Sequence, residues 1–262
     1  MPMLCMALTG CAILAACVES GNQSAEIQFT IADIPGNAHI EIANLQFYIS
    51  EVALLDDAGN ASKLQLTARE PWQSTDVALI DLSGSRLVNA AGERAGARSG
   101  NDTLIGVLEA RDPQTFSGIR FDLGIPFELN HANPLTAAPP LNHMAMYWAW
   151  QTGHKFLRAE LSEGGRAWAF HLGSTGCASA SAIRPPSGEC AQANRITVEL
   201  TNFDPLAQGL QLELGQLIAA MRAADYAPCV GNYAHNPACE APFELTGIAS
   251  EDTAQRLFSA AR

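Results

Sequence analysis

The chain is 262 residues long, 48% hydrophobic and 16% charged, and its 15 Lys plus Arg against 27 Asp plus Glu leave a formal charge of −12. That length buries a sizeable core in one large domain or two small ones, and the acidic balance excludes nucleic acid as a partner, because phosphates need a cationic face. Fourteen Pro, 21 Gly and only 7% aromatic residues fit a loop-rich globular protein and exclude a disordered or fibrous one.

Residues 1–16 are almost wholly apolar and end in Leu14-Ala15-Ala16 before Cys17, after which the chain turns polar at Glu19-Ser20-Gly21-Asn22. This reads as a signal peptide with a lipobox over 1–17. The small side chains fit a lipoprotein signal peptidase and the Cys17 thiol takes the lipid. Leu8-Thr9-Gly10-Cys11 fits the same pattern over a shorter apolar run, which puts Cys17 ahead of Cys11. The expectation is an exported lipoprotein, periplasmic or anchored at the outer membrane, that meets the membrane only through its lipid. Residues 18–25 are then a short tether and 26–262 a single domain.

From Glu26 the apolar residues alternate: Ile27, Phe29 and Ile31, then Ile40 and Ile42, then Leu45, Phe47 and Ile49 on the next stretch. Val77–Leu82, Thr103–Leu108, Gly118–Leu123, Ala145–Trp150, Lys155–Leu161, Ala167–Leu172 and Arg195–Leu200 repeat the strand signal, each bounded by Gly, Pro, Asn or Ser. Asn89–Gly100 reads as a mobile loop, and Glu163-Gly164-Gly165 as a hairpin turn. Leu210–Ala224 reads as a strand followed by a helix, and Glu251–Ala261 as a short closing helix after the cap-like Ser250. The fold class is therefore mainly β, an irregular antiparallel sandwich or barrel with a few short helices.

Once Cys5, Cys11 and Cys17 are assigned to the signal, Cys177, Cys190, Cys229 and Cys239 remain. An even number in an exported chain predicts two disulfides, and close spacing pairs Cys177 with Cys190 and Cys229 with Cys239. A zinc or copper thiolate cluster is the alternative, but no C-x-x-C pair occurs to favour it.

Residues 130–156 hold two of the four tryptophans, two of the six methionines and three of the six histidines. If 145–150 is extended, Met144, Met146, Trp148 and Trp150 share one side and set a thioether beside an indole. Trp168 and His171 follow in the hairpin arm that leads to Gly173-Ser174-Thr175-Gly176-Cys177. Met and Trp along a strand ordinarily mean packed core, and a histidine before such a loop is ordinarily structural. Thioether with imidazole is nevertheless the donor set that favours Cu(I).

Phe47-Tyr48-Ile49-Ser50, Asn130-His131-Ala132-Asn133-Pro134, the run from Met146 to Phe156 carrying W-x-W-Q-x-G-x-K-F, the segment Phe170-His171-Leu172-Gly173-Ser174-Thr175-Gly176-Cys177 and the four late cysteines together resemble one family. It is the copper-binding MbnP family of methanobactin operons, the four-Cys member of the metallo-mystery pair system. His154 stands where that family usually carries a tyrosine. The resemblance implies a binding protein rather than an enzyme, holding one copper per chain as Cu(I). It also implies that Trp148, first of the W-x-W pair, is oxidised to kynurenine by a di-haem partner of the cytochrome c peroxidase and MauG type. Met146 and His171 are the implied ligands beside the modified Trp148, with His39 and His131 in reserve.

The chemistry stands without the family. Indole offers an N–H donor and a π face and is a poor ligand, whereas opening its ring leaves an aryl amine and a ketone. Trp150 and Tyr147 are plausible electron relays to Trp148. A hydrolase using a histidine with Asp122 or Asp204 lacks any G-x-S-x-G or H-E-x-x-H motif. A carbohydrate- or protein-binding module would use Trp148, Trp150 and Trp168 as an aromatic platform.

Overall fold

The computed structural model describes residues 23–34, 40–83, 100–108, 115–149, 151–231, 233, 236–249 and 253–262. The signal and lipobox with Cys17, the reserve ligand His39, the relay Trp150 and residues 89–99 of the expected loop lie outside them. In chain order the elements are β1 (Gln23–Ile31), β2 (Ile40–Leu55), β3 (Ala61–Leu66), β4 (Val77–Asp81), β5 (Thr103–Leu108), β6 (Gly118–Leu123), α1 (Phe127–Asn130), β7 (Tyr147–Ala149) and β8 (Gly153–His154). They continue with β9 (Leu157–Glu163), β10 (Arg166–Leu172), β11 (Ile196–Thr201), α2 (Pro205–Gln208), β12 (Leu210–Leu212), α3 (Leu214–Ala223), β13 (Cys229–Val230), α4 (Glu240–Thr246) and β14 (Phe258–Ala260).

Among the described residues the chain is mainly β, with twelve strands in one curled sheet and β7 with β8 as a separate hairpin. Pairing is antiparallel except where β12 runs parallel to β1 and β13 parallel to β10. The β9–β10 turn uses left-handed backbone at Gly164 (φ 55) and Gly165 (φ 81), as expected from Glu163-Gly164-Gly165.

The spine is β2, a single strand where the sequence suggests two. Its buried inward positions start on even numbers at Ile40, pass to odd numbers at Leu45, Phe47 and Ile49, and return to even at Val52 and Leu54. Each change of parity coincides with a break in register, between Ile42 and Asn44 against β9 and between Ser50 and Ala53 against β6. A bulge inserts one residue, which is what keeps apolar side chains facing the core across a flip of the period-two pattern. Inside the curl, Phe29, Phe47, Phe121 and Phe258 meet edge to face at 5.3 to 6.5 Å.

Two expected elements are corrected. No helix covers the described part of 251–261, because Phe258–Ala260 pairs antiparallel with β12 as β14. Leu257 and Phe258 are 1% and 3% exposed, and burying them on the sheet outweighs local helix propensity. Over 145–150 the chain makes a 3₁₀ turn at Met144–Met146 and only then the three-residue β7. Met144 is therefore 54% exposed while Met146 is 0% exposed, and the two do not share a face. Both disulfides form as expected, Cys177–Cys190 and Cys229–Cys239.

Candidate metal centre

On one edge of β2 the partner strand changes at Tyr48, whose N–H donates to Phe156 O at 2.9 Å and whose carbonyl accepts from Gly124 N–H at 2.9 Å. The chain leaves the sheet at Gly124 and rejoins it at Phe156. Residues 125–149 and 151–155 thus form an excursion over the outer face, laid on a second apolar cluster of Tyr48, Val77, Leu79, Ile125, Leu141, Met146 and Phe156.

Two buried polar side chains fasten this excursion. Asn130 Oδ1 accepts from His154 N–H at 2.8 Å while its Nδ2 lies 3.4 Å from Ser174 Oγ. Its amide fills the space beside Gly153, whose φ of 74 and lack of a Cβ both suit the β7–β8 turn. His154 is wholly buried, with Nδ1 2.9 Å from Asn130 O and Nε2 2.9 Å from Leu141 O. It holds α1 and the 140s loop to the hairpin.

Beside that apolar patch the sheet presents a polar row. Register pairs Asp81 with Gln46, Gln46 with Arg158 and Arg158 with His171, so their side chains share one face across β4, β2, β9 and β10. Glu160, two residues along β9, binds Arg158 through Nε at 2.9 Å, Asn44 at 2.6 Å and His171 Nε2 at 2.9 Å. Burial pushes its carboxyl up, but the bonds from Arg158 and His171 outweigh it and hold the pKa at about 2. Burial lowers the pKa of His171 against the pull of Glu160. The ring is therefore neutral near pH 7 and donates a hydrogen bond from Nε2–H to Glu160, which leaves the lone pair on Nδ1.

The Trp148 ring lies over this row. A Cβ on Gly173 would stand 2.8 Å from Trp148 Cζ3 and 2.7 Å from His154 O, so the indole rests directly on the glycine backbone. The His171 ring is 6.3 Å away and tilted by 49°. Lys155 is 9% exposed, donates from Nζ to Ala145 O at 2.8 Å, and sits 6.0 Å from the Trp148 ring. Burial lowers its pKa. His143 closes the far side, its Nε2 3.4 Å from Gln46 Nε2, and burial lowers its pKa too.

The structure thus brings Trp148 and His171 together as expected, and Tyr147 flanks them in the same hairpin, its ring 5.1 Å from that of His154. Met146 lies in the apolar cluster next to the polar row. The reserve residue His131 is buried at the end of α1, with Nε2 3.5 Å from Cys190 Sγ. Glu160, Arg158, Lys155 and His143 escape sequence reasoning. Alternation along β9 marks Arg158 and Glu160 as outward-facing, but only register shows that they meet His171. Asp122 is held by Arg195 at 2.6 Å and by Thr197, and Asp204 caps α2. Trp168 is 3% exposed in the main core and cannot join an open platform.

A family model described as MbnP matches residues 18–233 of the chain. Among solved structures, MbnP from Methylosinus trichosporium superposes with a TM-score of 0.70 at 24% identity, over 92% of this chain and 99% of that one, and so shares the fold. No curated protein matches.

Proposed function

The chain belongs to the MbnP family, and from that premise we propose that it is an exported copper-binding protein of copper acquisition or homeostasis, with no turnover of its own. The observation that carries this reading is the half-buried Trp148 indole, seated on Gly173 with a neutral, carboxylate-oriented imidazole 6.3 Å away. The donor set suits the ion: His171 offers Nδ1 while Glu160 holds its Nε2 proton, the pattern that orients histidine ligands. Met146 supplies a soft thioether shielded from water, which favours Cu(I).

A di-haem protein of the MauG type oxidises Trp148 to kynurenine, with Tyr147 and Trp150 as the electron relay. Partial exposure of the indole allows that reaction from outside the fold. Cleavage of the C2–C3 bond turns the indole N–H into a free aryl amine and C3 into a ketone, with C2 leaving as formate, and Lys155 Nζ, 6.0 Å from the ring, is the neighbouring cation. Cys17 carries the lipid that keeps the protein at the membrane.

The test is expression with and without the di-haem partner, followed by copper analysis and mass measurement of the Trp148 peptide. One copper per chain is expected only where that peptide is a few mass units heavier, and Trp148→Phe is expected to retain none. Equal copper in the unmodified protein refutes the kynurenine dependence, and no copper in either sample refutes the reading itself.

A further inference from the structure

A second corner of the molecule carries metal-ligand chemistry that the Trp148 site does not use. At the end of α1, His131 is 7% exposed beside the Cys177–Cys190 disulfide, and its Nε2 with both sulfurs all lie within 4.8 Å of one another. The nitrogen presented to the sulfurs is the one that carries a lone pair. Asn130 Oδ1 is committed to His154 N–H at 2.8 Å, so the amide points Nδ2 towards His131 Nε2 at 3.3 Å; that makes Nε2 the acceptor nitrogen, and a bound ion would take its lone pair over from this long contact.

The spacing already suits an ion. Metal–sulfur and metal–nitrogen bonds of about 2.3 and 2.0–2.1 Å at tetrahedral angles separate the two donors by about 3.6 Å. His131 Nε2 and Cys190 Sγ are 3.5 Å apart. The two cysteine arms are tied independently of the S–S bond. Thr175 N–H donates to Gln192 O at 2.9 Å, Gln192 N–H to Thr175 O at 3.1 Å and Ala191 N–H to Gly176 O at 3.2 Å. Gln151 Nε2 holds Cys177 O at 2.9 Å. Cutting the disulfide therefore leaves both thiols near the imidazole.

We propose that reduction of Cys177–Cys190 converts this corner into a thiol-dependent metal site, in which both sulfurs and His131 Nε2 bind a thiophilic d¹⁰ ion, Cu(I) or Zn(II). The reductant is a dithiol. It attacks the half-buried Cys190 sulfur, the S–S bond breaks, the dithiol leaves as its own disulfide, and two thiols result. Binding replaces their two protons by the metal ion. Two thiolates and one imidazole form a trigonal set for Cu(I), or three ligands of a zinc site with water as the fourth. The inference does not depend on the Trp148 reading, whose proposed donors are Met146 and His171.

The experiment uses the full mature chain made without the di-haem partner, reduced anaerobically with a dithiol that is then removed. Co(II) serves as the optical probe for a zinc-like site, and Cu(I) is added in competition with a chromogenic chelator. The reduced protein, still folded by circular dichroism, is expected to gain one equivalent of metal with a thiolate-to-cobalt charge-transfer band that the oxidised protein lacks. His131→Ala is expected to weaken binding at least tenfold, while the double variant Cys229→Ser with Cys239→Ser keeps the site. Binding of one ion and not the other identifies the metal. The proposal is overturned if reduction unfolds the chain, if no thiolate band appears, if His131→Ala binds as tightly as the parent, or if the site requires Cys229 and Cys239.

Discussion

Replacing Gly173 by Ala tests the seat of Trp148 directly. The new methyl would stand 2.8 Å from Trp148 Cζ3 and 2.7 Å from His154 O, against an ordinary contact of about 3.5–4.0 Å. The carbonyl is held in place, because the His154 backbone N–H donates to Asn130 Oδ1 and its buried ring is wedged between Asn130 O and Leu141 O, so most of the adjustment falls on the indole. Overpacking of this kind costs about 1–3 kcal/mol, which for a chain of this size lowers Tm by roughly 2–12 °C. The indole should also move off His171, so kynurenine yield and copper retention on co-expression fall with stability. Gly188→Ala is the control, since nothing lies within 4 Å of its Cβ and it should change stability by less than about 0.5 kcal/mol. Thermal unfolding and peptide mass spectrometry read both effects. An unchanged Tm together with unchanged conversion of Trp148 in Gly173→Ala would show that the glycine does not position the ring.

Glu160→Gln leaves the strand intact but no longer fixes the His171 tautomer, so copper affinity should fall by about 10 to 100-fold in chelator competition. Because the Glu160 carboxyl titrates at about 2 when folded against 4.5 normally, its stabilising effect is complete above pH 4.5 and is lost as pH falls toward 2. Urea midpoints should drop more steeply over that window for the parent than for Glu160→Gln. His154→Phe removes the one ring N–H that the neutral imidazole, its pKa lowered by burial, gives to Asn130 O or Leu141 O, and should destabilise by about 1–3 kcal/mol in chemical denaturation. Removing Cys229–Cys239, whose partners are 10 residues apart, should cost about 3 kcal/mol by loop-closure entropy, with α4 loosening first in hydrogen exchange.

Local chemistry was enough to identify much of this protein. The alternation of apolar residues marks most strands, Gly164-Gly165 marks the β9–β10 hairpin, and the four late cysteines pair by proximity in sequence. The change from even to odd apolar positions between Ile42 and Leu45 is visible in the sequence too, where it reads as a break between two strands, and the structure makes it a bulge of β2. These features depend on neighbours along the backbone, whose spacing the chain itself sets. Register is different, because it is decided by which strands the collapsed core brings side by side. Arg158 and Glu160 are only outward-facing charges until β9 lies between β2 and β10, where one orients His171. The last segment prefers a helix locally and becomes β14 because Phe258 completes an aromatic core drawn from β1, β2 and β6. Met144 and Met146 part company because residues 144–146 turn to cover Tyr48 and Phe156. Burial of an apolar patch made by distant residues outweighs the alternation of a six-residue strand.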